Sequence, residues 1–250
     1  MTEEISSSSL LSRMRRLMPA GIEPRFKSAD ELMQWHAEQG KIESARVNRE
    51  SAATRLTNIL GRSGICELHQ SCTFDNYRVE CEGQSKALAE AKGYASGFGV
   101  GFTSFVFSGG YGTGKNHLAA AMGNYLIGNG KSVLVVTIPE LMMRIRETYG
   151  DSETSEARLM KDLCDVDLLI LDEVGVQREN RHEFIVLNQI IDRRLSSLKP
   201  VGMLTNLTNH EMKTVVGERI MDRLTMDNGL WVNFNWGSYR RNVSHLRAVK

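Results

Sequence analysis

The sequence predicts an α/β protein: a parallel sheet wound with helices on both faces, preceded by a small helical region. Short apolar runs of β type recur at 103–108, 132–137, 168–171, 201–205 and 230–234. Helical stretches separate them, at 84–96, 115–128, 139–149, 182–197 and 209–225. Strands that alternate with helices pair in parallel through crossovers. The chain before Gly61-Arg62-Ser63-Gly64 carries no such strand. It reads as a helical adaptor, residues 1–62, ahead of an α/β domain at 63–250.

The length of 250 residues suits one substantial core with a helical appendage. A hydrophobic fraction of 41% and a charged fraction of 24% place the chain among globular proteins. The net charge of +1 creates no global field, so any nucleic-acid contact must come from local patches. No apolar run reaches the roughly 18 residues that a membrane helix needs, so no membrane partner is expected. The basic, serine-rich start could suggest a transit peptide, but Glu3 and Glu4 argue against one. Four cysteines in a chain of this size do not make a disulfide framework, which points to a reducing, cytoplasmic compartment.

Within the adaptor, Leu10, Leu11, Met14, Leu17 and Met18 fall at helical spacing, and Pro19 stops that helix. A second helix begins at Ser28, with Glu31 completing a capping box, and runs past Leu32 and Trp35. From 41 to 60 the pattern is helical and mostly polar, with Ile42, Ala45, Ala52, Leu56 and Ile59 as a thin stripe. So sparse a stripe suits a helix that docks on a partner.

The strongest chemical signal is the run Gly109, Gly110, Tyr111, Gly112, Thr113, Gly114, Lys115, Asn116, with His117 opening the helix beyond. It follows an apolar strand directly, which is the context of a phosphate-binding loop. Its glycines let successive N–H groups face the phosphates, and the helix N-terminus adds a favourable dipole. Lys115 would neutralise the β- and γ-phosphates of ATP. Asn116 stands where Ser or Thr usually meets Mg²⁺; its amide oxygen can still accept from a metal-bound water or ligate directly.

A second signal is the apolar run ending in Asp172 and Glu173, which places two carboxylates at the sheet edge beside the loop. Asp172 would hold Mg²⁺ and Glu173 would polarise the attacking water. Asn206, at the end of the run 201–205, can orient that water; as an isolated residue it would be an ordinary turn Asn. Arg219 and Arg223 lie about one helical turn apart, so one of them can reach a neighbouring subunit's nucleotide as an arginine finger. Their bland alternative is pairing with Glu218 and Asp222. Tyr239-Arg240-Arg241 opens a basic tail that could sense nucleotide, touch DNA or simply be solvated.

These residues resemble the bacterial DnaC helicase-loader family. The resemblance rests on Gly112 to Ala119 with Asn in the metal position, Phe74 to Gly83, Gly202 to Asn206, Gly217-Glu218-Arg219 and Phe234-Asn235-Trp236. Met18-Pro19, Trp35 and Glu38-Gln39-Gly40 extend it over nearly the whole chain. It implies an AAA+ core that binds ATP at subunit interfaces, and so self-association through the ATP sites. It implies an amino-terminal helical domain that grips the hexameric replicative helicase, DnaB, and opens its ring. It also implies contact with single-stranded DNA and release on hydrolysis. By matching motif, Lys115 is the Walker A lysine, Asp172 and Glu173 the Walker B pair and Asn206 sensor 1. Arg219 and Arg223 form the arginine-finger box, and Arg240 takes the sensor 2 position, which implies a reduced C-terminal lid.

Other readings stay open at this point. The same fold serves ATPases that assist a DNA transposase, as in the related IstB family, and a non-hydrolysing adaptor could use ATP as a latch. Cys66, His69, Cys72 and Cys81 superficially suggest zinc, though their spacing is not that of a usual structural site. Arg144, Arg146 and Tyr149 interleave basic and aromatic groups, as a single-strand platform or a solvated helix end would.

Overall fold

The computed structural model describes residues 26, 28–60, 69–100, 103–148, 156–175, 181–225 and 229–239. The chain divides into two compact units, Met1–Asn48 and Arg49–Lys250. Helix α1 (Ala29–Leu60) runs through that division. Its start is held as the sequence predicts, with the Glu31 N–H donating to Ser28 Oγ at 3.1 Å. Two acids in its first turn, Asp30 and Glu31, complement the helix dipole. The two helical stretches expected on either side of Gly40 are one helix. A mid-helix glycine costs roughly 1 kcal/mol, too little to break it. In the first unit the Phe26 and Trp35 rings pack at 5.4 Å, while Met33, Ile42 and Val47 are exposed. The predicted helix at 10–18 lies outside the described residues.

In the second unit, five strands form one parallel sheet in the order β2-β3-β4-β1-β5. They are β1 (Phe105–Gly109), β2 (Val133–Thr137), β3 (Leu168–Val174), β4 (Val201–Thr205) and β5 (Leu230–Phe234). Strand β1 is flanked by β4 and β5, so the chain leaves it at the point where the strand order turns. That is where open parallel sheets bind ligands.

Alternation along each strand sorts the core into two layers. Phe105, Phe107, Leu168 and Ile170 face α2 (Glu82–Ser96) and α3 (Lys115–Gly128). Val106, Leu169 and Leu171 belong to the other layer. That layer holds α4 (Ile138–Glu147), α5 (Glu156–Asp165), α6 (Arg181–Ser196), α7 (Asn209–Val216) and α8 (Glu218–Thr225). Three of the four buried α2 positions, Ala87, Ala91 and Ala95, are alanine, which lets that helix lie close to the sheet. Gly202 does the same inside β4: a Cβ there would meet the Phe105 ring at 2.2 Å.

The helix expected at 209–225 is two helices. Gly217 sits between them at φ +85, a conformation that ends α7 and lets α8 start in a new direction. Helix α5 was not expected. Its stripe of Leu159, Met160 and Leu163 is buried, and that spacing was its sequence signal.

Candidate functional site

The glycine-rich loop leaves the interior strand β1 under tight steric control. Gly109 pairs with Phe234 in the β1–β5 register, and a Cβ on it would meet the Phe234 carbonyl oxygen at 2.2 Å. Gly114 caps α3 in the left-handed region, φ +97, where a Cβ would meet the Tyr77 ring at 2.9 Å. The loop therefore wraps closely, with the N-terminus of α3 at its end.

Lys115, the first residue of α3, is buried. Its Nζ donates to the carbonyls of Gly109 at 2.6 Å and Gly110 at 2.8 Å, and to Asn206 Oδ1 at 2.9 Å. The lysine and the Asn206 at the end of β4 are thus brought together. Asn116 donates its amide to Asp172 Oδ2, which joins the metal-position residue to the acid of β3. Burial pushes the Asp172 carboxyl above its ordinary range. The Glu173 N–H, the Asn116 amide and the positive charges of Lys115 and His69 oppose that shift.

Glu173 is exposed and adopts φ +58, rare for a residue with a side chain. The β3–β4 register shifts between Leu171 and Val174, and the Glu173 N–H donates to Asp172 Oδ1 at 2.7 Å. Local strain of this kind persists where surrounding contacts impose it. Here Thr205 Oγ1 donates to the Val174 carbonyl at 2.7 Å, and Ser108 Oγ donates to the Leu207 carbonyl at 2.6 Å. The ends of β1, β3 and β4 are therefore tied together.

A cavity of about 270 Å³ opens over the loop, lined by Gly112, Lys115 and Asn116 on one side and Tyr77, Arg78 and Tyr239 on another. His117 lines it too, but the His117 Nε2 is 3.1 Å from the Thr73 carbonyl, and its ring meets Tyr77 edge-on at 5.4 Å. Tyr111 is 75% exposed at the loop tip and does not line the cavity. The Arg78 guanidinium stacks 5.7 Å from the Tyr239 ring centre. The Tyr77 hydroxyl is buried with no hydrogen-bond partner among the described residues, and burial pushes it up to about 12.

Tyr77, Arg78 and Tyr239 are site residues that motif reading missed. Tyr77 and Arg78 stand in the run 74–83, which has no general phosphate or metal signature.

The cavity tests whether ATP and Mg²⁺ fit. Turned backbone N–H groups, a buried ammonium and an orphan hydroxyl are donors suited to a nucleotide. The Asn116 amide oxygen in the cavity wall and the Asp172 carboxylate, which pairs with Asn116 behind that wall, are hard oxygen donors suited to Mg²⁺.

The two arginines stand elsewhere. Neither lines this cavity. Both pair with Asp192 of α6 and not with the acids of their own helix: Arg223 at 2.6 Å and Arg219 at 3.4 Å. Arg223 also donates to Ser196 Oγ at 3.1 Å and is largely covered, whereas the Arg219 side chain stays 74% exposed. Arg240 and Tyr149 lie outside the described residues, and Arg144 and Arg146 pair with Glu147 and Glu183. Cys66 also lies outside them. Among the described residues no cluster of three His, Cys, Asp or Glu side chains could hold a metal ion, and Cys81 is the N-cap of α2. No described helix is long and apolar enough to cross a membrane.

A loop of this build, at the end of an interior strand of a parallel sheet whose β3 ends in two acids, defines a P-loop nucleotide-binding protein. Residues 76–246 match the family model of IstB-like ATP binding proteins. The chain is 51% identical over 235 residues to the replicative helicase loader DnaC of Escherichia coli K12, covering 94% of this chain and 96% of that one. It is 49% identical to DnaC of Buchnera aphidicola (subspecies Acyrthosiphon pisum), covering 92% and 94%. A crystal structure of the DnaC helicase loader superposes with a TM-score of 0.61 at 19% identity, over 67% of this chain and 99% of that one, which bears on the fold alone. The chain belongs to the IstB-like ATP-binding family and, within it, to the DnaC replicative helicase loaders.

Proposed function

We propose that this chain binds a DnaB-type hexameric replicative helicase and loads it onto single-stranded DNA in the cytoplasm, with release on ATP hydrolysis. The observation that carries this reading is the end-to-end likeness to DnaC, 51% identity over 94% of the chain, combined with an assembled phosphate loop. The transposase-assistant alternative is not favoured: these relatives, similar along their whole length, are named as helicase loaders.

In this reading Gly109 to Gly114 cradle the phosphates through their backbone N–H groups. Lys115 exchanges its carbonyl acceptors for phosphate oxygens. Asn206, already on the Lys115 ammonium, orients the lytic water and registers the γ-phosphate. Mg²⁺, held through the oxygens of Asn116 and Asp172, would neutralise charge between the β- and γ-phosphates. Glu173, held by the β3 irregularity, accepts the proton of the attacking water. Arg219 is the better-placed group to reach a neighbouring subunit, because Arg223 is committed to Asp192 and Ser196. Arg240 takes the sensor 2 role. Residues 1–62 form the helicase-binding region, with the exposed Met33 and Ile42 as apolar anchors.

The test is co-purification of the whole chain with a purified hexameric helicase, with and without ATP. Glu173→Gln keeps nucleotide bound but loses water activation, so it should trap the helicase complex that the unaltered chain releases. Failure to form a complex under any nucleotide condition would overturn the loader reading.

A further inference from the structure

The segment after β5 returns to the phosphate loop and grips it from outside. The Trp236 Nε1–H donates to the Thr113 carbonyl at 2.9 Å, and the Tyr239 N–H donates to the Gly112 carbonyl at 2.9 Å. Within a planar trans peptide, the carbonyl of one residue and the N–H of the next point in opposite directions. Fixing the Gly112 carbonyl therefore fixes the Thr113 N–H, and fixing the Thr113 carbonyl fixes the Gly114 N–H. Those are donors of the glycine-rich cradle itself.

The grip is built into the surrounding packing. The Trp236 indole packs against Phe234 at a tilt of 42°, with ring centres 4.9 Å apart, and a Cβ on Gly83 would meet the indole at 3.0 Å. Gly83 thus leaves room for the ring at the start of α2. Phe234 abuts Gly109 through the β1–β5 register, and the Tyr239 ring lies under Arg78 at the cavity wall.

We propose that Trp236 is a positioning residue for nucleotide: with the Tyr239 main chain it holds two peptide planes of the loop so that their N–H groups face the phosphates. This rests on the ATP-binding reading of the loop. Trp236→Phe keeps an aromatic ring on Phe234 but removes the N–H donor.

The test is equilibrium binding of ATP to the whole chain, the Trp236→Phe variant and the Lys115→Ala variant. Loss of one neutral hydrogen bond that presets the cradle predicts about three- to tenfold weaker ATP binding by Trp236→Phe. The thermal midpoint without nucleotide should stay close to that of the unaltered chain, which a merely structural role would not allow alongside weaker binding. In a Trp35→Phe/Trp231→Phe background, Trp236 is the remaining tryptophan of the three, and its emission should shift with ATP at the concentrations that saturate binding. Unchanged affinity in Trp236→Phe, or silent emission, would overturn the proposal. Absence of ATP binding by the unaltered chain, matching Lys115→Ala, would overturn the nucleotide reading beneath it.

Discussion

Two buried cations sit at opposite edges of the same sheet, and they differ in what holds them. Lys115, at the carboxyl edge, donates to two loop carbonyls and one Asn side chain beside an open cavity. Arg194, at the amino edge, is fully buried and donates to the carbonyls of Leu163, Val166, Asp167 and Pro200. Burial pulls the Arg194 guanidinium down to about 10, although the charges of Cys164 and Asp167 oppose the shift. Its acceptors belong to the chain ahead of β3 and β4, where rigid main chain offers no exchange. A larger cavity at that edge, about 460 Å³, is lined by Lys131, Asp167 and Lys199, but the Asp167 carboxylate already accepts from Ser132 and pairs with Lys199. A buried charge is thus a binding group only where its acceptors can be traded for a ligand's.

The widest separation comes from removing each cation in turn. Lys115→Ala should weaken ATP binding by about a hundredfold or more, since charged hydrogen bonds to phosphate are lost. Its thermal midpoint should move little, because Gly109 is only half-buried and Gly110 is exposed, so water can replace the ammonium on their carbonyls. Isothermal titration beside a melting curve measures both, and full ATP affinity in the variant would remove the basis of the nucleotide reading. Arg194→Met should do the reverse. Orphaning four carbonyls predicts a loss of about 3 kcal/mol or more in urea unfolding, while the folded fraction binds ATP normally. A matching loss of ATP affinity would mean that the two edges are coupled.

What the sequence revealed follows the same division. The carboxyl edge was legible, because phosphate chemistry needs a fixed string at a strand–helix junction. The structure joins Lys115 to Asn206 and Asn116 to Asp172, groups that stand far apart in the sequence. The amino edge was silent: Arg194 looks like any basic residue near the end of an amphipathic helix, and only packing reveals its four carbonyls. Tyr77 and Tyr239 were equally silent as cavity walls, since their roles depend on two loops meeting. Helix α5 was hidden by a polar stretch before it, and Gly217 was passed over because helical periodicity continues on either side.

The arginine pair offers a finer contrast at about a tenfold level. Trans-acting arginines are worth roughly 10³- to 10⁵-fold in GTPases, and a slow loader should show less. Arg219→Ala should reduce turnover without weakening ATP binding by an isolated subunit. Arg223→Ala should mainly lower stability, because its partners Asp192 and Ser196 are in its own chain. Mixing Arg219→Ala with Glu173→Gln should restore some turnover if the site is shared between subunits. No restoration, together with a kinetic defect in Arg223→Ala, would return the finger role to Arg223.

The smallest effect concerns the acid that the phosphate edge keeps at a cost. Burial raises the folded-state pKa of Asp172 above 3.8, the value expected for it unfolded. The folded chain therefore holds this proton more tightly than the unfolded chain does. Stability from this group is greatest below 3.8 and falls as pH rises through the folded-state value. At neutral pH the ionised carboxylate opposes folding, and the hydrogen bonds from Asn116 and the Glu173 N–H only partly offset its burial. Asp172→Asn removes the buried charge and keeps one acceptor oxygen, for the Glu173 N–H, while Asn116 can turn its amide so that its oxygen accepts from the new amide N–H. The variant should melt slightly above the unaltered chain at pH 7 without nucleotide, and the two should converge as the pH is lowered toward that of a free carboxyl group. Mg²⁺-dependent hydrolysis should fall in the same variant, since the neutral amide is a poorer ligand for a hard cation. A lower midpoint at pH 7 would show that the Asp172 charge stabilises the folded chain even without a metal, and that the edge is built around the ionised acid.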